Sequence, residues 1–175
     1  MVYSMDNKSS AIYSKSFKTA GCAMAKAIGA YYSTQRPVSC FIGDQGFQMN
    51  IQELQFIAQN KVPIMIVLLN NLSSGMLRTE EIKRFNTHFI HTTLDSGYSV
   101  PDFCELINAY GLNYYFFDKD IICELNDMRE FSLPCVIELR IDESIGVLQS
   151  LPRGRALQDF DPPMDSHLYE ELDIL

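Results

Sequence analysis

Hydrophobic positions in this chain switch between short continuous apolar runs and stretches with helical spacing. Two apolar runs, Val38–Ile42 and Ile64–Leu69, contain β-branched residues and end abruptly in small or polar ones. Between the runs, apolar residues recur at helical spacing from Phe47 to Lys61. This pattern predicts a strand, a helix and a second strand.

The helix between the two strands carries a start signal. Asn50 is followed three residues later by Glu53, which is the spacing of an N-cap with a partial capping box. The sequence therefore predicts that this helix begins near Met49.

The rest of the chain continues the alternation of strands and helices. The further elements are predicted as helices over Gly21–Tyr32, Pro101–Tyr110 and Asp120–Phe131, and as strands over Tyr114–Phe117 and Pro134–Ile141. Such alternation is typical of an α/β fold with a doubly wound, mostly parallel sheet and helices on both faces. We expect a loose lead-in over residues 1–18, one domain over 19–142 and a C-terminal arm over 143–175.

Polar residues collect where the first two strands end. Asp44 follows the first strand and Asn71 follows the second. The carboxyl ends of parallel strands meet at one edge of the sheet, where such sheets bind ligands. A carboxylate and a carboxamide there offer oxygen ligands to Mg²⁺, and Gly43 and Gly46 allow backbone N–H groups to approach a phosphate. The pattern indicates a cradle for a metal ion and a diphosphate.

The composition of the chain narrows the classes of molecule that it is expected to bind. The 175 residues are 47% hydrophobic with a net charge of −8 and a pI near 4.8, which disfavours nucleic-acid and anionic-membrane surfaces. The longest apolar run is too short to span a bilayer, and no secretory signal precedes it. Five scattered cysteines are typical of buried thiols in a reducing compartment, and the three histidines are too dispersed for a zinc set. We expect a soluble, cytoplasmic protein.

At the first two strand ends the sequence resembles a known binding signature. Gly43-Asp44-Gln45 followed by Asn70-Asn71 resembles the thiamine-diphosphate (ThDP) signature, in which Gly-Asp-Gly precedes Asn-Asn. The stretches Gly46–Leu54 and Gly75–Arg78 resemble the acetolactate synthase branch of the 2-oxo-acid decarboxylase and carboligase family. The resemblance covers Thr19–Asp142 and only the diphosphate-binding half of such enzymes.

The resemblance implies roles for particular residues. Mg²⁺ would be bound by the side chains of Asp44 and Asn71 and by the backbone carbonyl of Ser73. The cofactor-binding residues it implies are Ala20, Gly21, Gly43, Asp44, Gln45, Gly46, Asn71, Ser73, Ser74, Gly75 and Met76.

The resemblance also implies what this chain lacks. In the family, the activating glutamate lies on a pyrimidine-binding domain, which is absent here, so no catalytic residue is expected in this chain. That domain would come from another chain in an oligomer or from another part of the protein. We expect a component that acts on 2-oxo acids by decarboxylation and carboligation and is inactive as the isolated chain.

Three departures from the family pattern leave alternatives open. Gln45 replaces a glycine, Ala20 replaces a large residue that props the cofactor, and Glu80 stands where acetohydroxyacid synthases have a tryptophan. These departures motivate the alternative of a non-catalytic paralogue that serves as an assembly or regulatory subunit, whereas the retained Asp44 and Asn71 at their family spacing argue against it. A generic nucleotide-binding α/β module, with Asp44 as a helix cap and Asn71 as a turn residue, is a third interpretation.

Overall fold

A parallel sheet organises the described part of the fold. The computed structural model describes Ile12, residues 20–118 and residues 131–142. Within them the strands are β1 (Val38–Gly43), β2 (Ile64–Asn70), β3 (Asn113–Phe117) and β4 (Cys135–Arg140), in the spatial order β1-β2-β4-β3. All three pairings are parallel. The predicted doubly wound α/β class is confirmed.

In the described part of the chain, helices and a 3₁₀ turn precede or connect these strands. They are α1 (Ala23–Thr34), α2 (Asp44–Gln48), α3 (Glu53–Gln59), α4 (Gly75–Arg84), α5 (Phe103–Ala109) and the 3₁₀ turn Leu94–Ser96. The start of α5 follows local chemistry, because the Asp102 side chain accepts a hydrogen bond from the Glu105 amide. Gly111, with a φ of +74°, follows its end, as the sequence predicts.

The two faces of the sheet differ in what covers them. One face packs under α1, α3 and α5, with Phe47 and Phe103 in edge-to-face contact at 5.5 Å between ring centroids. Met65 and Ile137 belong to the opposite face, against which Phe131 packs. The helix predicted over Asp120–Phe131 lies outside the described residues except for its last one. Strand β2 is buried on both faces, which explains its unbroken apolar run.

The predicted helix start near Met49 is wrong. Two short helices, α2 and α3, replace one helix, and α3 has no side-chain N-cap. Asn50 instead donates a hydrogen bond from Nδ2 to the Gly21 carbonyl at 2.9 Å. A bond across 29 positions of sequence thus replaces the local cap, and it fastens the turn before α1 to the segment that follows β1.

The chain ends lie mostly outside the described residues. Of the lead-in predicted over residues 1–18 only Ile12 is described, and the arm predicted over 143–175 is not described. Among the helices that are described, none has the length and apolar character needed to cross a membrane.

Candidate functional site

Asp44 begins α2 directly after β1 and is only 2% exposed. Its Oδ1 accepts a hydrogen bond from the Gln45 amide at 2.8 Å. Within the described part of the chain, Oδ2 is buried and has no hydrogen-bond partner. Burial raises the pKa of Asp44, against the opposing effect of the Gln45 amide, the Tyr98 hydroxyl and the Ser73 amide. One carboxylate oxygen is therefore available for a ligand.

Asn71 lies in the turn that follows β2, the neighbour of β1 in the sheet. Its Oδ1 accepts a hydrogen bond from the Ser73 amide at 3.3 Å. Because the same Ser73 amide also lies near the Asp44 carboxylate, Ser73 connects the ends of the two strands. Leu72, between them, has a φ of +52°, a left-handed conformation that is uncommon for leucine. The structure thus brings together the three residues predicted to bind the metal.

The segment from Thr92 to Tyr98 closes the side of this site. Ser73 Oγ donates to the Thr92 carbonyl at 2.7 Å, and the Ser74 amide donates to the same oxygen at 3.0 Å. A capping box between Thr93 and Ser96 then turns the chain through the 3₁₀ turn. These bonds hold Tyr98 beside Asp44.

Tyr98 is a site residue that the sequence did not reveal. Its Oη is buried and, among the described residues, completes no hydrogen bond of normal geometry. Burial and the negative charge of the Asp44 carboxylate raise the pKa of Tyr98. The signal available in sequence was only a long polar connection, Phe85–Val100, of the kind that often forms binding loops.

The predicted glycines have different structural roles. Gly21 has a φ of +82°, and a Cβ there would lie 2.8 Å from Met49 Cβ. A Cβ on Gly46 would lie 3.3 Å from Ile42 Cγ1, and one on Gly75 would lie 2.9 Å from Asn71 Nδ2. These three glycines permit close packing inside the chain. Gly43 is exposed and a Cβ there would meet only ordinary contact, so its side is open.

Gln45 and Ser74 contact each other across the site. Ser74 Oγ donates a hydrogen bond to Gln45 Oε1 at 2.7 Å. The carboxamide at the position where the family has glycine therefore reaches the residue that precedes α4. This contact connects the end of β1 with the turn after β2.

Two predicted residues lie at the margin of the site. Ala20 is exposed in the turn before α1, and Met76 is 65% exposed on the first turn of α4. Neither is buried in the cluster around Asp44.

A second polar cluster connects β2, β3 and β4. Glu138 on β4 is 3% exposed, and its Oε1 accepts hydrogen bonds from Asn70 Nδ2 at 2.7 Å and Arg140 Nη2 at 3.3 Å. Its Oε2 accepts a bond from the Tyr114 hydroxyl at 2.7 Å. Burial and this contact with Glu138 raise the pKa of Tyr114. Both carboxylate oxygens of Glu138 are thus satisfied within the chain.

A comparison with known protein families identifies a family with a ligand-binding site of the kind expected at this edge of the sheet. Residues 1–139 match the family described as "Thiamine pyrophosphate enzyme, C-terminal TPP binding domain". The chain belongs to this family. The predicted cofactor, thiamine diphosphate, is therefore supported, and so is the prediction of a diphosphate-binding domain.

Acetolactate synthases are among the relatives of this chain. The large subunit from Porphyra purpurea is 32% identical over 148 residues, which are 83% of this chain and 25% of the relative. The large subunit of isozyme 2 from Escherichia coli (strain K12) is 32% identical over 146 residues, which are 82% of this chain and 26% of the relative. The chain spans about a quarter of the length of these relatives.

A solved structure shares the fold. It is the thiamine diphosphate-dependent 4-hydroxybenzoylformate decarboxylase of Rhodococcus jostii RHA1, with a TM-score of 0.55 and 29% identity. The match covers 70% of this chain and 23% of the decarboxylase. The similarity therefore again concerns one part of a larger enzyme.

Proposed function

We propose that this chain is the diphosphate-binding half of a ThDP- and Mg²⁺-dependent enzyme that acts on 2-oxo acids by decarboxylation and carboligation, as acetolactate synthase does. The observation that carries the proposal is the buried Asp44 Oδ2, which has no hydrogen-bond partner among the described residues. A buried carboxylate oxygen without a partner is costly, and a bound cation would offset that cost.

The donors around Asp44 fit a hard divalent cation. Mg²⁺ prefers oxygen ligands and is commonly held by one or two carboxylates together with substrate phosphates. Asp44 would supply a carboxylate oxygen, Asn71 its carboxamide oxygen and Ser73 its backbone carbonyl. The Asn71 Oδ1 that would bind the metal now accepts a 3.3 Å hydrogen bond from the Ser73 amide, a weak bond that a cation could replace.

The chain's own contribution is binding and orientation. When bound, thiamine diphosphate supplies the carbon nucleophile and the electron sink that 2-oxo acid chemistry requires. Asp44, Asn71 and Ser73 would fix the diphosphate through the cation. The open side at Gly43 leaves room for an incoming group. Tyr98 would restrain the Asp44 carboxylate from the side and exclude water from it.

The proposal includes a partner domain. Helix α4, which follows the site, buries none of its residues, and it exposes Met76, Leu77 and Ile82. Exposed apolar side chains next to a ligand site are typical of an interface. A pyrimidine-binding domain with the activating glutamate, from another chain or from the same protein, would cover this helix. The isolated chain should accordingly show no turnover of a 2-oxo acid.

Calorimetric titration of the chain with ThDP, with and without Mg²⁺, tests the proposal. We expect heat of binding that requires Mg²⁺ and is lost in Asp44→Asn, since the carboxamide removes the negative charge from the metal site. The control is Asp102→Asn, which changes a carboxylate that caps α5. Magnesium-independent binding, or equal binding by Asp44→Asn, would contradict the proposal.

A non-catalytic paralogue is the second candidate, and one contact favours it. The Gln45 carboxamide, bonded to Ser74, occupies space between the two strand ends where the family has only glycine. If this contact excludes the diphosphate, the chain would keep the fold as an assembly or regulatory subunit. The absence of any Mg²⁺-dependent heat with the wild-type chain would support this alternative.

A further inference from the structure

Glu138 is an unusual residue for its position. It lies within a parallel strand whose preceding residues Cys135, Val136 and Ile137 are all fully buried, and it is itself 3% exposed. Burying a carboxylate is costly unless it is paired and hydrogen-bonded. Its three hydrogen bonds, from Asn70, Arg140 and Tyr114, show how the fold satisfies it.

The hydrogen bond between Glu138 and Asn70 determines the orientation of the Asn70 carboxamide. Asn70 Nδ2 donates to Glu138 Oε1 at 2.7 Å, so Asn70 Oδ1 faces the opposite side. There it accepts a hydrogen bond from the Leu72 amide at 3.1 Å. A carboxylate accepts but cannot donate, so Glu138 permits only this orientation of the amide group.

The Leu72 amide belongs to the turn that carries two of the three candidate metal ligands. Leu72 has a φ of +52°, a left-handed conformation that is unfavourable for residues with a side chain because Cβ approaches the following carbonyl oxygen. The turn needs local hydrogen bonds to hold this conformation. Asn70 supplies one of them, and Asn71 and Ser73 lie on either side of Leu72.

From these contacts we infer that Glu138 is a positioning residue for the metal site, acting through Asn70 on the turn at Leu72. Glu138 itself touches neither the cofactor nor the metal. It fixes Asn70, Asn70 holds the Leu72 amide, and the turn then places Asn71 and Ser73 beside Asp44. This inference rests on the proposed function for its final step, whereas its earlier steps concern the turn alone.

The competing explanation is that Glu138 only ties β4 to its neighbours, since it contacts side chains from β2 and β3. That role would affect global stability. A positioning role would also change the turn and the affinity for the metal-bound cofactor. Residues that orient metal ligands typically change affinity by roughly 10- to 100-fold when they are replaced.

The test compares Glu138→Leu with Glu138→Gln in the full chain. Leucine removes the acceptor for Asn70, whereas glutamine keeps a carbonyl oxygen facing Asn70 and offers its amide group to Tyr114. We expect Glu138→Leu to weaken Mg²⁺-dependent ThDP binding at least about tenfold and Glu138→Gln to restore it to within about threefold of wild type. The readouts are calorimetric affinity and hydrogen exchange at the Leu72 and Ser73 amides, which should be faster in Glu138→Leu than in Glu138→Gln or wild type.

Two further variants separate positioning from global stability. Tyr114→Phe removes the bond to Oε2 and leaves the Asn70 contact intact, so it should lower thermal stability without changing affinity. Asn70→Ala removes the Leu72 acceptor directly, so it should weaken binding as Glu138→Leu does, and it decides the question if Glu138→Leu does not fold. Affinity and Leu72 exchange that match wild type in Asn70→Ala would overturn the inference.

Failure of the inference can be told apart from failure of the proposed function. A wild-type chain that does not bind Mg²⁺-ThDP contradicts the proposed function, and the hydrogen-exchange comparison then still decides whether Glu138 holds the turn. A wild-type chain that binds, with Glu138→Leu binding equally well, contradicts only the positioning role.

Discussion

Two buried carboxylates stand near the same edge of the sheet, and they differ in their partners. Asp44, after β1, leaves one buried oxygen without a hydrogen bond among the described residues. Glu138, on β4, has both oxygens bonded by neighbouring side chains. Their exposed fractions are nearly equal, 2% and 3%. Burial alone therefore does not distinguish the acid that we propose binds a ligand from the acid whose two oxygens are both hydrogen-bonded.

This difference suits the two carboxylates to different roles, one in binding a ligand and one in stabilising the fold. The buried charge of Glu138 is compensated by hydrogen bonds within the chain, so replacing Glu138 should lower the stability of the fold. Asp44 is left incompletely compensated, so its charge lowers the stability of the ligand-free chain and favours a cation. The first two of the four predictions below test this contrast, and all four are in order of decreasing effect.

The largest change in stability is expected from replacing Glu138. Glu138→Leu leaves Asn70, Tyr114 and Arg140 without their shared acceptor, and losing one partner of a buried charged network is strongly destabilising. We expect a loss of about 3 kcal/mol in the free energy of unfolding, measured with urea. Glu138→Gln is the matched control and should lose less than about half of that amount. Equal losses would show that charge, and not the acceptor at Oε1, matters.

The opposite sign is expected for Asp44→Asn without ligand. A neutral carboxamide is less costly to bury than a carboxylate, so this variant should be more stable than wild type by about 1 kcal/mol at pH 7. Urea unfolding measures the gain, and a destabilised Asp44→Asn would remove the contrast with Glu138.

The pH dependence of this gain provides its control. Burial raises the pKa of Asp44, so the folded state binds the proton more tightly than the unfolded chain does. Wild type therefore gains stability as the pH falls through that raised pKa, and Asp44→Asn does not. The difference between the two proteins should shrink from pH 7 to pH 4.

A smaller effect is expected at the contact between Gln45 and Ser74. Gln45→Gly removes the carboxamide that reaches across the site and frees Ser74 Oγ. We expect Mg²⁺-dependent ThDP affinity to rise, by less than about tenfold, because one neutral hydrogen bond is worth about 1 kcal/mol. Calorimetry checks this, with Gln48→Gly, on the same helix, as the control. Lower affinity in Gln45→Gly would indicate that the carboxamide helps to hold the cofactor.

The smallest effect concerns a buried group that is uncharged at neutral pH. Burial raises the pKa of Cys40 to about 12, well above that of an exposed thiol. The stabilising contribution of the Cys40 side chain is complete below the thiol pKa of the unfolded chain and is lost as the pH rises toward 12. The stability difference between wild type and Cys40→Ala, from urea unfolding, should therefore be constant from pH 6 to 8 and shrink by pH 10. A stability difference at pH 10 equal to that at pH 7 would contradict the raised pKa of Cys40.

The sequence predicted what depends on local patterns. Apolar runs located β1, β2 and β4, and the spacing of Asp102 and Gly111 located α5. The neighbourhood of Asp44 and Asn71 followed from strand polarity, since both residues come directly after parallel strands. These features depend on residues close in sequence or on a general rule of parallel sheets.

The remaining features depend on contacts between distant segments. Asn50 has the sequence spacing of a helix cap, yet it bonds to Gly21 because the turn there leaves a carbonyl to satisfy. Tyr98 reaches Asp44 with the help of contacts between distant segments, among them the two hydrogen bonds that the Thr92 carbonyl accepts from Ser73 and Ser74. Glu138 did offer a signal, an acidic residue within an apolar parallel strand, but its partner Asn70 lies 68 positions away.

Helix α4 illustrates how the site depends on what surrounds it. None of its ten residues is fully buried, and its contacts include the Glu80–Arg84 ion pair at 2.6 Å and the hydrogen bonds that Glu81 accepts from the Ile90 amide and the Thr92 hydroxyl. An isolated segment of this length is only marginally helical in water. Whatever molecule docks on it would shift that helix–coil equilibrium, so the circular dichroism of the chain should report docking before any turnover is measured.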